Sequence, residues 1–224
     1  MSRQRIVVLI SGGGSNLQAL LDASTNQHAA DIELDADIVA VISNRPAAYG
    51  LKRAENVGID AISLDHTQFD DRHSFDKALL EAVSEYSADL VILAGFMRIL
   101  TPVFLTPLRG KMLNIHPSLL PKYAGLNTHQ RAIDAGDYEH GATVHFVTEE
   151  LDGGPAVLQA AVPVMENDSA DSLAARVLEK EHLIFPLAAQ WFVSNRLLLS
   201  DRGAELDGEL LGVNGIRFDG LQEA

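Results

Sequence analysis

Five short apolar runs rich in β-branched residues, at positions 5–10, 37–42, 61–64, 90–94 and 112–115, dominate the first half of the sequence. Helical spacing follows the first three: Leu17, Leu20 and Leu21, then the pattern over 47–57, then Phe75, Leu79, Leu80 and Val83. Strands that alternate with helices in this way predict a parallel sheet with helices on both faces, because a parallel pair needs a crossover long enough to hold a helix. Ligands then gather beyond the carboxyl ends of the strands.

After about residue 140 the pattern changes. Residues 140–148 and 156–164 are two strand-like runs bridged by Glu149-Glu150-Leu151-Asp152-Gly153-Gly154-Pro155, which predicts antiparallel strands added to the same sheet. Residues 169–193 carry helical spacing with a kink expected at Pro186. A glycine-containing acidic tail, 201–224, closes the chain. No repeat or long linker divides it, so residues 1–224 read as a single domain of the α/β class.

Composition narrows the function classes. Lysine and arginine number 17 against 31 aspartates and glutamates, a formal net charge of −14, which argues against nucleic acid or an anionic membrane as partner. The chain has no cysteine, so disulfides, thiolate metal sites and a cysteine nucleophile are excluded, and a cytoplasmic setting fits. No stretch reaches the ~18 uncharged apolar residues of a membrane span, and the first apolar run is too short for a signal peptide.

Between the first strand and helix stands Ser11-Gly12-Gly13-Gly14-Ser15-Asn16, a glycine loop at a helix N-terminus, where backbone N–H groups favour an anion. No Gly-Lys-Ser or Gly-Lys-Thr follows. Leu17 stands where a dinucleotide loop has its third glycine, and the second strand ends in Ser43-Asn44 without a ribose-binding acid. A single phosphate monoester suits the loop, and so does an empty βα turn in which Ser15 or Asn16 caps the helix.

In Leu113-Asn114-Ile115-His116-Pro117 the amide and imidazole are two residues apart on a strand and share a face. An amide donor beside an imidazole suits oxyanion stabilisation with proton transfer, although a polar pair that merely ends a strand reads the same. Asp152, in the Gly-Gly-Pro turn, could orient His116 if that turn folds back over the strand ends, or simply brace its own turn. His116, His129, His140 and His145 lack the i, i+4 spacing of a helical zinc site, so no metal is expected. Glu181 lies on one helical stripe with Leu173, Val177, Ile184 and Ala188, and a carboxylate there needs a partner, either an arginine or backbone amide of the fold or a ligand. Arg72 and Arg98 suit a carboxylate ligand or a solvated surface, and Met97-Arg98-Ile99-Leu100 suits a flat heteroaromatic ligand or a packed turn.

Four motifs in order, Ser11-Gly12-Gly13-Gly14-Ser15-Asn16-Leu17-Gln18, Leu93-Ala94-Gly95-Phe96-Met97-Arg98-Ile99-Leu100, Asn114-Ile115-His116-Pro117-Ser118-Leu119-Leu120-Pro121 and Leu151-Asp152-Gly153-Gly154-Pro155, make the chain resemble the folate-dependent formyltransferase family, in its phosphoribosylglycinamide branch. The resemblance runs from about residue 5 to Leu199. It implies a Rossmann-like, mostly parallel sheet extended by antiparallel strands, with a phosphate-binding half (1–110) and a catalytic and folate-binding half (111–200). It implies transfer of the formyl group of 10-formyltetrahydrofolate, a co-substrate, to the amine of phosphoribosylglycinamide in de novo purine biosynthesis. Carried over by position, Gly14, Ser15 and Asn16 hold the substrate phosphate, and Glu181 contacts the glycinamide or ribose. Arg72, Met97, Arg98, Ile99, Leu100, Asn114, Thr148, Glu149, Glu150, Leu151 and Asp152 line the folate pocket, and Asn114, His116 and Asp152 form the catalytic trio. In the implied chemistry Asn114 and protonated His116 donate to the tetrahedral oxyanion and Asp152 favours the imidazolium. The partners are small molecules, and a homodimer is left open. Gly13, Ala124 and Asn127 depart from the residues expected in close relatives. The rivals are a formyltetrahydrofolate deformylase, a tRNA formyltransferase, which needs a tRNA-binding domain that the acidic tail cannot supply, and a silent sugar-phosphate sensor.

Overall fold

The computed structural model describes residues 3–220. Its first half alternates strand and helix as the periodicity predicts: β1 (Gln4–Ile10), α1 (Ser15–Ser24), β2 (Ala36–Ser43), α2 (Tyr49–Asn56), β3 (Asp60–Ser63), α3 (Arg72–Ser84), β4 (Leu90–Leu93), the one-turn α4 (Pro102–Leu105) and β5 (Met112–His116). Then come α5 (Thr128–Asp134), β6 (Glu139–Phe146), β7 (Ala156–Pro163), the long α6 (Ala170–Val193), β8 (Leu197–Ser200), β9 (Gly203–Leu206), β10 (Glu209–Leu210) and β11 (Ile216–Arg217).

Eight strands form the main sheet in the order β11-β7-β6-β5-β4-β1-β2-β3. Strands β1 to β5 run parallel, whereas β6 is antiparallel to β5 and β7 is antiparallel to β6. The order reverses between β1 and β4, and a doubly wound sheet opens a crevice at such a point, above the strand ends.

Two cores follow from the two-residue period of β1. Ile6, Val8 and Ile10 pack on one face with Leu17 and Leu20 of α1 and with Val177, Ile184 and Phe185 of α6. Val7 and Leu9 pack on the other with Phe75, Leu79 and Val83 of α3 and with Phe104. The strand is therefore apolar throughout, as burial on both faces requires. Helix α3 starts with a reciprocal Asp71 and Ser74 cap and α6 with Ser169 and Ser172, each satisfying otherwise orphaned N–H groups. Helix α6 continues through Pro186 to Val193.

Two sequence expectations need correction. The residue preceding α1 is Gly14, in the left-handed region at φ 71°, so neither Ser15 nor Asn16 caps that helix. The segment expected as a tail, 201–224, is folded over much of its length. Strands β8, β9 and β10 form a separate antiparallel sheet, and β11 joins the main sheet beside β7. Its strands are only two to four residues long, too short for alternation to announce them. Residues 221–224 lie outside the described part.

Candidate active site

The glycine loop leaves β1 at the reversal point. A Cβ on Gly14 would stand 2.9 Å from the Gly50 Cα, and the Gly50 N–H donates to the Gly12 carbonyl at 3.0 Å, so α2 packs directly under the loop. Around Gly12 and Gly13, by contrast, a Cβ would meet nothing within 4 Å. Those two glycines leave the outer side of the loop open, as close approach of an anion requires. Arg53 of α2 clamps the loop from beneath, donating from Nε to the Gly13 carbonyl (2.8 Å) and from Nη1 to Gln18 (2.8 Å). Sequence reasoning missed both Gly50 and Arg53, because no local pattern says which residues of α2 meet the loop.

Asn16 and Glu181, far apart in sequence, meet in a bond of 2.6 Å from the Asn16 amide to one Glu181 oxygen, with both residues nearly buried. The partner of the stripe glutamate is therefore a side-chain amide from the glycine-loop helix, neither an arginine nor a backbone group. Burial raises the Glu181 carboxyl above its ordinary range, opposed by the Asn16 bond. The Asn16 side-chain oxygen is buried without a partner among the described residues.

Ser11 joins this loop to the next. Its N–H donates to the Gly95 carbonyl (3.1 Å), its hydroxyl donates to Asn44 (2.5 Å), and the same hydroxyl accepts the Met97 N–H (2.8 Å). Beyond Met97, the backbone of Arg98, Ile99 and Leu100 makes no hydrogen bond among the described residues. These residues border a cleft lined by Leu93, Phe96, Arg98, Ile99, Leu100, Leu105, Asn114, His145, Val147, Thr148, Glu149, Glu150, Leu151 and Asp152. Both halves of the chain thus supply its walls. Two residues expected in its lining are absent from it: Arg72 is exposed on the first turn of α3, and Met97 is 56% exposed outside the cleft. Thr148, Glu149, Glu150, Leu151, Asp152, Arg98, Ile99, Leu100 and Asn114 do line this cleft.

Asn114 and His116 share one face at the end of β5, and the antiparallel register sets His145 of β6 opposite Asn114 and Thr143 opposite His116. Asp152 comes over them from the turn after β6. That turn needs glycine, because a Cβ on Gly154 would lie 1.8 Å from the Phe146 carbonyl oxygen. The Asp152 carboxylate accepts the Gly125 N–H (2.9 Å), stands 3.4 Å from His116 Nδ1 and lies 3.9 Å from His145 Nε2. His116 Nε2 is 2.9 Å from the Tyr123 carbonyl. A carbonyl only accepts, so Nε2 carries a proton, and both ring nitrogens donate only when His116 is an imidazolium.

His145 is the site residue whose role the sequence did not reveal. Its Nδ1 donates to the Phe146 carbonyl at 2.9 Å, which leaves Nε2 to accept from the Asn114 amide at 3.0 Å. Burial holds its pKa below the ordinary histidine range and keeps the ring in the neutral, accepting form. The other two histidines of this region, His129 and His140, bond each other at 3.1 Å, and burial with the His129 charge lowers His140 to about 4. Among the described residues no three His, Asp or Glu side chains converge in a metal-ligating group, and no helix is long and apolar enough to cross a membrane.

Comparison with known proteins agrees with this geometry. The formyl transferase family model matches residues 4–189. The phosphoribosylglycinamide formyltransferase of Escherichia coli K12 is 50% identical over 215 residues, 96% of this chain and 99% of that protein, and the Haemophilus influenzae enzyme of the same name is 50% identical over 212, covering 95% and 98%. The solved structure of the Coxiella burnetii phosphoribosylglycinamide formyltransferase superposes with a TM-score of 0.90 at 44% identity, covering 97% of this chain and all of that one. On these matches, with the glycine loop, the open cleft and the Asn-His-Asp constellation, the chain belongs to the formyl transferase family, among the phosphoribosylglycinamide formyltransferases.

Proposed function

We propose that this chain transfers the formyl group of 10-formyltetrahydrofolate to the amine of phosphoribosylglycinamide, giving phosphoribosyl-N-formylglycinamide and tetrahydrofolate in purine biosynthesis. One observation carries the reading: Asp152 stands beside His116 and, through His145, beside Asn114, and both Asn114 and Asp152 line a cleft whose wall includes Arg98, Ile99 and Leu100 with their unpaired backbone groups. A flat heteroaromatic ring with its own donors and acceptors, such as a pterin, matches that wall. At the other end, Gly14, Ser15 and Asn16 take the phosphate, while the second Glu181 oxygen takes the glycinamide or ribose. Residues 1–110 thus carry the phosphate site, and 111–200 carry the catalytic groups and part of the folate site.

In the reaction the neutral amine adds its lone pair to the formyl carbon, and the carbonyl π pair moves onto oxygen. Asn114 gives one amide N–H to His145 and keeps the other for that oxyanion. Both His116 nitrogens already face protein oxygens, so in this arrangement the imidazolium acts first through its charge. Direct donation exchanges one contact, and the longer one to Asp152 is the readier to yield. Asp152 accepts the proton that the former amine loses. As the carbon–nitrogen bond to the folate breaks, its electron pair stays on the departing nitrogen, which takes that proton from Asp152 while the carbonyl re-forms, so no net proton is consumed. The chain's own groups do this by position and charge. The proposed partners are these small molecules, with neither nucleic acid nor membrane, and the proposed setting is the cytoplasm; sedimentation tests a homodimer against a monomer.

Mixing the purified protein with 10-formyltetrahydrofolate, with and without phosphoribosylglycinamide, and following the folate spectrum tests the reading. Loss of the formylated folate that requires the ribonucleotide is expected. Loss without it means a deformylase, and no loss in either mixture means a silent sensor.

A further inference from the structure

Among the described residues, three of the buried side-chain polar atoms without a hydrogen-bond partner belong to Arg98 of the cleft wall and to Asp76 and Thr101 beside it: Arg98 Nε, Asp76 Oδ1 and Thr101 Oγ1. Asp76 belongs to α3 and has no exposed surface. An ionisable group is seldom placed so deep, and one oxygen of this carboxylate has a single well-formed use: it accepts the Thr101 N–H at 2.5 Å. Thr101 precedes α4, a helix with no side-chain cap of its own and with Pro102 at its first position. A carboxylate at this N-terminus is electrostatically favourable.

The preceding residue, Phe75, is also fully buried, and its ring lies 4.7 Å beneath the Arg98 guanidinium carbon. The stretch from Met97 to Thr101 is thus held at two ends and at one point between. Ser11 accepts the Met97 N–H, Asp76 accepts the Thr101 N–H, and Phe75 supports Arg98. Between the anchors, Arg98, Ile99 and Leu100 turn unpaired backbone groups toward the cleft. Backbone that must present its donors and acceptors to a ligand cannot be ordered by its own ladder, so its order has to come from outside the stretch.

We infer that Asp76 is a positioning residue for the formyl-donor subsite, setting the wall of Arg98, Ile99 and Leu100 through Thr101, with Phe75 as its second support. The inference rests on the reading of this cleft as the folate site. Its mark is selectivity between substrates: disturbing the anchor weakens the formyl donor and leaves the ribonucleotide, bound at the glycine loop, untouched.

The test compares wild type, Asp76→Ala, Asp76→Asn and Phe75→Leu, measuring both KM values, kcat and the calorimetric Kd of tetrahydrofolate. Asp76→Ala is expected to raise the donor KM and the tetrahydrofolate Kd about tenfold, with the ribonucleotide KM within about twofold. Asp76→Asn keeps an oxygen to accept the Thr101 N–H and is expected to stay within about threefold of wild type. Phe75→Leu, which keeps the core apolar, is expected to raise the donor KM about threefold and covers the case in which Asp76→Ala fails to fold. Equal rises in both KM values, or a lowered Tm with unchanged donor binding in the folded Asp76→Ala and Phe75→Leu proteins, would overturn the inference. A wild-type protein that neither binds tetrahydrofolate nor consumes the formyl donor overturns the functional reading instead.

Discussion

The glycine loop and the turn that carries Asp152 stand beyond the carboxyl ends of strands in one sheet and are built by opposite means. The loop, 11–16, is a backbone device: a left-handed Gly14, close contact with Gly50, an Arg53 clamp on the Gly13 carbonyl and two glycines with open space outside. The Asp152 turn is a side-chain device, in which His116, His145 and Asp152 arrive from β5, β6 and the loop after β6. A backbone device tolerates change in side chains and fails when a Cβ is added. A side-chain device fails atom by atom, and tolerates change wherever the backbone register survives.

The sharpest way to break that comparison is to delete one member of the side-chain device. His116→Ala and Asp152→Asn are expected to lower kcat by ~10² to 10³ while changing the ribonucleotide KM little, read by steady-state kinetics. Near-normal turnover in either protein would remove the residue from the mechanism.

A second test sets two glycines against each other. Gly154→Ala drives a methyl into the Phe146 carbonyl, so both kcat and thermal stability should fall, by ~10-fold or more in rate and ~2 to 4 kcal/mol in stability. Gly12→Ala meets no protein atom, so Tm should hold within a degree or two while the ribonucleotide KM rises. If Gly12→Ala leaves that KM unchanged, the ligand does not approach the loop closely.

Ser15→Ala is expected to raise the ribonucleotide KM by ~10-fold and leave kcat near wild type, since one hydroxyl bond to a charged group contributes ~1.5 kcal/mol. The smallest effect concerns Glu181. Its folded pKa is raised above the unfolded value, so its contribution to stability is fully present below the unfolded pKa and declines as pH rises through the folded pKa. Glu181→Gln keeps an acceptor for Asn16 and should flatten this decline, making the variant relatively more stable at pH 8 than at pH 5, as denaturant midpoints at both values would reveal.

The same contrast explains which parts of the site could be read in advance. The glycine loop announced itself because strand, glycines and helix are neighbours in the chain, and its geometry is local. Asn114 and His116 were legible as a pair because period two puts both on one face of β5. That His145 orients Asn114 was not legible: the pairing of Asn114 with His145, 31 residues further on, is a property of register between β5 and β6. Asp152 was legible only as one of two readings of its turn, orienting His116 or bracing itself, and the folded turn brings it to His116.

For this chain, local patterning determined the five parallel strands, the two antiparallel ones, the long helix and the position of the loop, because hydrophobic period and glycine placement act over a few residues. Tertiary structure alone decided that 203–217 folds into strands, that Glu181 finds Asn16, that Arg53 clamps Gly13 and that Asp76 anchors Thr101. Each of those depends on which surfaces meet after the chain has collapsed. A buried polar group takes whatever partner lies within about 3 Å, and no spacing rule along the chain encodes that proximity.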